Sequence, residues 1–506
     1  MVEKSAGPRT PGTADSARQE ALPDAGSSAT AESDGSAHEA HEASEASKAP
    51  AGVKPSVVLA VVSAGVILSG IDLFIVNVAL PQIAKSLRVA DLSNLSWLLN
   101  AYTVAFAALL VPLGRLADRS SRMWGFILGI GLFTAASALC AAAGNLPMLI
   151  AFRAVQGAGA ALLTPTSLGL LLAAYPAQRR AGAVRVWTAI GGVAAIFGPT
   201  VGGLLVELSW RWVFLVNLPI GIVAIAAGIR LLPRGQGDAS SWPDVVGTLL
   251  LSLSIGSLVL ALVDGNQWHW GSARVVGLLI ASAVLLALFV LSSTRHPSPV
   301  VEMSLLRVPQ TAAALISTLL FSTAFGAMIF SLVLLAENTW GWSALRGGLA
   351  ATPNAVLVLP ASVIAGIVMA RRGIGAAAVI TAGCVLFAGG VLWWSIGVPT
   401  QPQYVPHLLI GLLLTGLGVG LAMPTLFGAA TSALPAHRFA TGSGVVSMVR
   451  QVGLALGVAI LVAVLDTGAS GHVGISALRH GWIVTAAIAF AAPSPLLLVR
   501  GQQQVG

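Results

Sequence analysis

The chain has 506 residues, of which 56% are hydrophobic and only 9% are charged, and its mean hydropathy is +0.86. Soluble domains are about half apolar and about one quarter charged, so this composition excludes an ordinary soluble domain and predicts a protein of the lipid bilayer. The formal net charge of +8 fits basic loops beside anionic lipid headgroups, and we do not expect nucleic acid as a partner.

The first 54 residues differ in composition from the rest of the chain. They consist mainly of Ala, Ser, Glu, Asp, Gly and Pro, with almost no large apolar side chains. Such a segment cannot bury enough apolar surface to offset the entropy lost on ordering. We therefore predict a disordered cytoplasmic tail over residues 1–54.

Fourteen apolar runs follow the tail, and each has the length of about 20 residues that a helix needs to cross the hydrocarbon of a bilayer. The runs are too long and too uniformly apolar for barrel strands. We number the predicted helices 1 to 14 in chain order. Helices 1 to 6 form an N-terminal bundle (57–232), helices 7 and 8 are inserted (245–292), and helices 9 to 14 form a C-terminal bundle (311–499). Their spans are 57–80, 95–115, 124–143, 148–173, 184–206, 213–232, 245–263, 274–292, 311–335, 346–369, 375–396, 406–430, 442–465 and 482–499.

The orientation follows from the basic residues between these spans. With the N-terminus inside, fourteen Arg residues fall on the cytoplasmic side and six Lys or Arg residues on the other. By the positive-inside rule this bias places both termini in the cytoplasm. We expect a multi-pass protein of the plasma membrane.

An internal repeat relates the two bundles. At an offset of 259 residues, Gly157 aligns with Gly416 and Pro165 with Pro424, and the register continues to Gly457. Helix 4 therefore matches helix 12, and helix 5 matches helix 13. Two bundles of one topology place a substrate cavity between them at the middle of the membrane.

Asp72 in helix 1 is the one carboxylate that the predicted spans place well inside the hydrocarbon. An ionised Asp there costs about 2.5 to 3.5 kcal/mol on insertion scales, which favours a site that binds a proton or cation. A structural carboxylate held in a salt bridge is the alternative. Arg153 in helix 4 is a matching buried cation, and its repeat partner is Leu412. It either senses the charge of Asp72 or substrate, or holds backbone carbonyls of neighbouring helices.

A charged loop joins helices 2 and 3. Asp118 lies four residues before Arg122 and beside Arg119, and Gly114 precedes them. Residues at this spacing meet on a helical turn, so we predict a conformational latch. Positive-inside topology would by itself account for the arginines. The second half has Ala370 in place of the acid.

Helix 5 has small residues along one face, which let another helix approach closely. A proline among them favours a bend. Packing without a directional role is the alternative. The residues of this predicted antiporter helix are Gly191, Gly198, Pro199, Gly202 and Gly203.

Four further polar residues are candidates for the substrate cavity, namely Asn77, Gln156, Arg450 and Glu337. Arg450 aligns with Gly191 in the repeat, so scaffold symmetry does not explain it. Glu337 lies at the outer end of helix 9, where a solvated side chain is the alternative. We interpret the segment from Trp210 to Gly221 as an anchor at the membrane interface.

These segments resemble the major facilitator superfamily, and within it the fourteen-spanner drug:proton antiporters, over residues 57–499. Residues 114–122 resemble the loop motif of the superfamily, residues 153–161 its helix 4 motif, and residues 191–203 the antiporter motif. The chain departs from the loop motif at Ser121 and Met123. The resemblance implies a major facilitator fold and a proton-coupling role for Asp72 and Arg153, and the Ala-, Gly- and Arg-rich composition resembles antibiotic-resistance exporters of actinomycetes.

We therefore expect a proton-coupled antiporter that exports antibiotics or other amphipathic toxic molecules and acts as a monomer in the lipid bilayer. The alternatives are an importer of the same superfamily and a membrane sensor or enzyme. No Gly-Lys-Ser/Thr loop suits ATP, and no His or Cys cluster has metal-ligand spacing. We expect no metal, no cofactor and no enzymatic activity, with the proton gradient as the energy source.

Overall fold

The computed structural model describes residues 53–88, 92–119, 121–233, 244–265, 267–297, 299, 301, 307–431, 439–465 and 474–505. They belong to one compact unit, Val53–Gly506. The predicted disordered tail, apart from its last two residues, lies outside the described residues. The boundaries predicted for the two bundles and the inserted pair remain a prediction.

The described residues form fifteen long helices and contain no strand, which confirms the all-α prediction. A helical turn, Trp212–Leu215, precedes α6, and π-helical turns extend α9 (Leu335–Thr339) and precede α12 (Tyr404–Leu409). The helices are α1 (Pro55–Ser86), α2 (Leu92–Arg119), α3 (Arg122–Ala142), α4 (Leu146–Ala174), α5 (Ala177–Leu208), α6 (Asn217–Leu231), α7 (Val245–Asp264), α8 (Ala273–Arg295), α9 (Pro309–Leu334), α10 (Ala344–Arg372), α11 (Ala376–Gly397), α12 (Ile410–Thr431), α13 (Phe439–Val464), α14 (Ile475–Ala491) and α15 (Ser494–Val505).

The first thirteen predicted membrane spans each coincide with one of these helices or with a helix and its adjoining turn, whereas the last, 482–499, runs across α14 and α15, which a turn at residues 492–493 separates. Thirteen helical segments in the described part of the chain are long and apolar enough to cross a membrane. The predicted span 184–206 is not among the thirteen, but it falls within α5. That helix has 32 residues and so reaches about 48 Å at about 1.5 Å per residue.

Local sequence explains where several helices begin and end. Pro55 occupies the first turn of α1, where its missing N–H would have no helical partner. The Asn145 side chain caps α4 by accepting a hydrogen bond from the Met148 N–H at 2.9 Å. Gly373 ends α10 in the left-handed conformation with φ +62°, which glycine adopts without strain.

Glycines allow α3 and α4 to cross closely. A Cβ atom on Gly129 would lie 2.9 Å from the Leu163 nitrogen, and one on Gly159 would lie 2.7 Å from the Phe133 nitrogen. Backbone contact at this distance excludes any side chain at either glycine. A similar crossing occurs between α11 and α12. A Cβ atom on Gly383 would lie 2.8 Å from the Ala422 nitrogen, and one on Gly418 would lie 2.6 Å from the Phe387 nitrogen.

The two halves meet chiefly through α2 with α13 and α5 with α10. Gly444 of α13 packs against the Leu110 backbone of α2, and the rings of Trp187 and Phe427 lie 5.8 Å apart. These contacts lie near the helix ends that the predicted topology places in the cytoplasm. Toward the opposite end, a separate apolar cluster belongs to the N-terminal half alone and includes Ile75, Leu98, Cys140, Leu149 and Phe214. In the predicted topology the halves are thus joined on the cytoplasmic side.

Candidate functional site

A buried ion pair joins α1 and α4 in the N-terminal half. The side chains of Asp72 and Arg153 are both 0% exposed. The Nη1 of Arg153 donates a hydrogen bond to the Oδ2 of Asp72 at 2.5 Å. The two charges that the sequence singled out are therefore direct partners. The proton-coupling role predicted for them remains a prediction.

Neutral polar side chains complete the cluster around the Asp72 carboxylate. The Nε2 of Gln156 donates to the Oδ1 of Asp72 at 2.9 Å and to the Oγ of Ser137 at 2.6 Å. The Nδ2 of Asn217 donates to the same two oxygens, at 3.4 and 3.2 Å. Side chains of α4 and α6 thus donate to the carboxylate on α1, and Ser137 of α3 accepts a hydrogen bond from both amides. Such hydrogen bonds offset part of the free-energy cost of burying a charge.

Arg153 is held from several sides besides Asp72. Its Nη1 also donates to the Oε1 of Gln156 at 2.6 Å, and its Nε donates to the Leu98 carbonyl of α2 at 3.1 Å. The guanidinium lies 4.5 Å from the ring centroid of Tyr102, a distance at which an aromatic ring attracts a cation. Its Nη2 has no hydrogen-bond partner in the described part of the chain. The arginine therefore retains a carbonyl and a ring as partners when Asp72 is neutralised.

The position of α2 against this arginine depends on a glycine. A Cβ atom on Gly157 would lie 2.6 Å from the Tyr102 carbonyl oxygen. A residue with a side chain at position 157 would therefore push α2 away from α4. The crossing places both Leu98 and Tyr102 of α2 against Arg153.

The equivalent place in the C-terminal half is neutral. Leu412 occupies the repeat position of Arg153, and Thr415 occupies that of Gln156. The Nδ2 of Asn354 donates to the Leu412 carbonyl at 3.2 Å and to the Oγ1 of Thr415 at 2.7 Å. The repeat thus preserves a polar crossing between helices, but the ion pair exists in one half.

The residues of the predicted latch are only partly described. Gly114 is buried at the inner part of α2, and Arg119 and Arg122 are partly buried and each takes part in an interaction. The side chain of Asp118 lies outside the described residues. The latch therefore remains a prediction.

The small residues of α5 face α1, the helix that carries Asp72. A Cβ atom on Gly191 would lie 2.6 Å from Val66, and one on Gly202 would lie 3.0 Å from the carbonyl oxygen of Ile75. Ile75 follows Asp72 by three residues. Gly198 and Gly203 are also buried, and the side chain of Pro199 lies outside the described residues. The glycine face of α5 thus supports the turn of α1 next to the ion pair.

The four candidate cavity residues have different surroundings. Gln156 is 0% exposed, and both of its amide atoms bind the ion pair, so it belongs to that cluster; its role in a substrate cavity stays a prediction. Arg450 on α13 is partly buried, and its Nε has no partner among the described groups. Glu337 is exposed in the π-helical extension of α9. The side chain of Asn77 lies outside the described residues.

One expectation needs correction. The segment from Trp210 to Gly221 is more than an interface anchor, because Trp210 is only 2% exposed and Asn217 reaches Asp72. An amide side chain inside an apolar run was the signal for this role. Two further carboxylates are buried: Asp264 is 0% exposed and Asp244 2% exposed. The predicted span 245–263 begins one residue after Asp244 and ends one residue before Asp264.

Sequence comparison decides the family. The sequence profile described as Major Facilitator Superfamily matches residues 62–458. The chain belongs to the Major Facilitator Superfamily. It is 33% identical over 405 residues to the multidrug resistance protein Stp of Mycobacterium tuberculosis, covering 79% of this chain and 74% of that protein. It is 34% identical over 414 residues to the probable actinorhodin transporter of Streptomyces coelicolor, covering 80% and 71%.

A solved structure supports the fold. The crystal structure of the human organic anion transporter MFSD10 (TETRAN) superposes with a TM-score of 0.59 at 16% identity, covering 87% of this chain and 99% of that chain. The predicted major facilitator fold is confirmed. The protein is a multi-pass membrane transporter of this superfamily.

Proposed function

We propose that this transporter is a proton-coupled antiporter that exports antibiotics or other amphipathic toxic molecules across the plasma membrane and so confers drug resistance. It acts as a monomer with both termini in the cytoplasm, and the proton gradient is its energy source, without a cofactor. The observation that carries the proposal is the fully buried pair of Asp72 and Arg153 in a superfamily transporter.

The geometry supports a simple coupling step. A proton that binds the Oδ2 of Asp72 removes the negative charge and takes the place of the hydrogen bond from the Nη1 of Arg153. Arg153 keeps its bond to the Leu98 carbonyl and its contact with the Tyr102 ring. The attraction between α1 and α4 weakens while α4 and α2 stay joined. Protonation thus changes which helices are held together, and α5 transmits the change because it packs on α1 beside Ile75.

The energy of this step suits export. One proton that moves across a membrane potential of roughly 100 mV gains about 2.3 kcal/mol. Each 1.36 kcal/mol corresponds to a factor of about ten, so one proton supports a substrate gradient of about fiftyfold.

The names of the relatives support export as the direction and antibiotics as the substrate class. One relative is named for multidrug resistance, and another, of Streptomyces glaucescens, is named for tetracenomycin C resistance and export. Amphipathic molecules also suit a membrane-embedded pathway with apolar walls. Arg450 is a candidate for substrate contact, because it is partly buried and its Nε lacks a partner in the described part of the protein.

The test is dye export from proteoliposomes with an imposed pH gradient, with a fluorescent cationic dye and then a panel of antibiotics as probes. We expect wild-type export to collapse when a protonophore is added. The Asp72→Asn variant should lose gradient-driven export while it still exchanges dye down a dye gradient. Glu207→Gln, at an exposed site of α5, is the control and should behave as wild type.

Two outcomes would overturn the proposal. Export that persists with a protonophore would exclude proton coupling. Accumulation of substrate in the direction of proton flow would show an importer.

A further inference from the structure

We propose that Asp264, the last residue of α7, is a second proton-binding carboxyl of this transporter. It lies on the inserted helix pair and is linked through α2 to the cluster of Asp72 and Arg153. The inference rests on the proposed proton coupling, which it extends to the inserted helices.

The surroundings of Asp264 leave one oxygen atom without a partner. The side chain is 0% exposed. Its Oδ1 accepts a hydrogen bond from the Nδ2 of Asn100 at 2.7 Å. Its Oδ2 is buried and has no hydrogen-bond partner among the described groups. A buried carboxylate with a free oxygen is unfavourable, and a proton on that oxygen removes the charge.

The two ends of α7 provide an internal comparison. Asp244 caps the N-terminus, where its Oδ1 accepts a hydrogen bond from the Gly247 N–H at 2.6 Å. The positive end of the helix dipole stabilises an ionised carboxylate there. Asp264 lies at the C-terminus of the same helix, where the carbonyl groups form the negative end of the dipole. The Oδ2 of Asp244 also has no hydrogen-bond partner among the described groups, so the two acids differ in the end of the helix dipole that they face.

No positively charged side chain of the described residues forms an ion pair with Asp264. The helices α2, α8 and α13 pack against α7. Asp264 forms no salt bridge with any described residue, and this includes the exposed His269 in the following turn. The described titratable groups in the outer or middle parts of these elements are Tyr102 on α2, Arg274 on α8, Arg450 on α13, and His269 in the turn after α7.

A proton suits the site better than a metal cation. Divalent ions take several oxygen ligands, whereas the Oδ2 of Asp264 is the one buried side-chain oxygen without a partner at this end of α7 in the described structure. No group of three His, Cys, Asp or Glu residues with metal-binding geometry occurs in the described part of the chain. The geometry therefore points to protonation.

Aromatic side chains cover this end of α7. A Cβ atom on Gly265 would lie 2.8 Å from the Trp270 ring, so the indole packs directly on the helix end. The rings of Trp97 and Trp268 lie 6.3 Å apart and join α2 to the same turn. The predicted topology places this end outside, on the side from which protons enter. Movement of the tryptophans would give water access to Asp264.

A single turn of α2 connects Asp264 to the ion pair. The Asn100 side chain binds Asp264, and the Leu98 carbonyl accepts a hydrogen bond from the Nε of Arg153 at 3.1 Å. When Asp264 gains or loses a proton, the strength of its bond to Asn100 changes. The change acts on the backbone turn that also positions Arg153.

The direct test is infrared difference spectroscopy of the full-length protein in lipid nanodiscs between about pH 5 and about pH 9. We expect Asp264→Asn to lose a component of the protonated-carboxyl band that Asp72→Asn retains. Asp264→Glu should show that component shifted, which separates loss of the carboxyl from loss of the fold. Asp244→Asn is the matched control and should give the wild-type band.

A wild-type band in Asp264→Asn would overturn the inference. The infrared result is independent of export, so failure of Asp72→Asn to impair export would contradict the proposed function and leave this inference standing. In proteoliposomes, Asp264→Asn should lose most of the stimulation by a pH gradient and still bind dye. Full stimulation in that variant would show that a proton at Asp264 plays no part in transport.

Discussion

At the scale of single residues, Gln156 is the junction of the buried cluster. Its amide oxygen accepts from Arg153, and its amide nitrogen donates to Asp72 and Ser137. It therefore holds both members of the ion pair in one geometry. Its repeat partner Thr415 makes a comparable bond to Asn354 in a neutral setting.

Replacement of this side chain should therefore be costly. We expect Gln156→Leu to lower the free energy of unfolding by about 1 to 3 kcal/mol, because Ser137 and the charged pair lose buried hydrogen bonds. Thermal unfolding in detergent and gradient-driven export of the fluorescent dye measure the two effects. Thr415→Val is the matched control and should lose less of both, since no charge is left unpaired. Equal losses in the two variants would show that the charge of the cluster is irrelevant.

The sequence identified Asp72 and Arg153 because a charge inside an apolar run is conspicuous. Their neutral partners were not predictable in the same way. Ser137 and Asn217 are separated from Asp72 by 65 and 145 positions, and serine and asparagine are common in membrane helices. Their role becomes visible only when the crossing of α3, α4 and α6 is known. Asp264 was missed for a simpler reason, because the predicted helix ended at residue 263.

At the scale of helices, close crossings depend on glycines whose neighbours are backbone atoms. A Cβ atom on Gly157 would lie 2.6 Å from the Tyr102 carbonyl oxygen, whereas a Cβ atom on Gly131 of α3 would have no atom within 4 Å. The two glycines therefore have opposite tolerance for a methyl group. The sequence predicts the helices and their repeat, but the tight positions follow from packing.

We expect Gly157→Ala to destabilise the protein by about 1 to 3 kcal/mol, because an added methyl group forces α2 away from α4. Export should fall as well, since the Leu98 carbonyl and the Tyr102 ring move away from Arg153. Gly131→Ala is the control, and alanine there should leave stability unchanged or raise it by about 0.5 to 1 kcal/mol. Thermal unfolding of both variants measures the difference. A wild-type midpoint for Gly157→Ala would mean that the crossing is looser than the structure shows.

At the scale of the whole molecule, the two halves are joined near the ends that the predicted topology places in the cytoplasm. Trp187 of α5 and Phe427 of α12 contact each other there, and Arg185 donates a hydrogen bond to the Sδ of Met369. An alternating-access transporter must break such contacts to release or bind substrate on that side. The aromatic pair therefore helps to set the balance between the two conformations.

We expect Trp187→Ala to raise the population open on this side by roughly two- to tenfold, because an aromatic pair contributes about 0.5 to 1.5 kcal/mol. Spin labels are attached to cysteines introduced at the exposed positions Arg179 and Arg372. Opening lengthens the distance between the two labels, which double electron–electron resonance measures. The native cysteines, Cys140 and Cys384, are buried and should remain unlabelled.

Trp124→Ala is the matched control for this measurement, because Trp124 is 56% exposed on the outer surface of α3 and contacts no residue of the other half by ring stacking in the described structure. It should leave the distance distribution unchanged. A wild-type distribution in Trp187→Ala would show that the aromatic contact does not hold the halves together. The closure would then depend on the backbone contact between Gly444 and Leu110, where an added methyl group would meet the carbonyl oxygen at 2.8 Å.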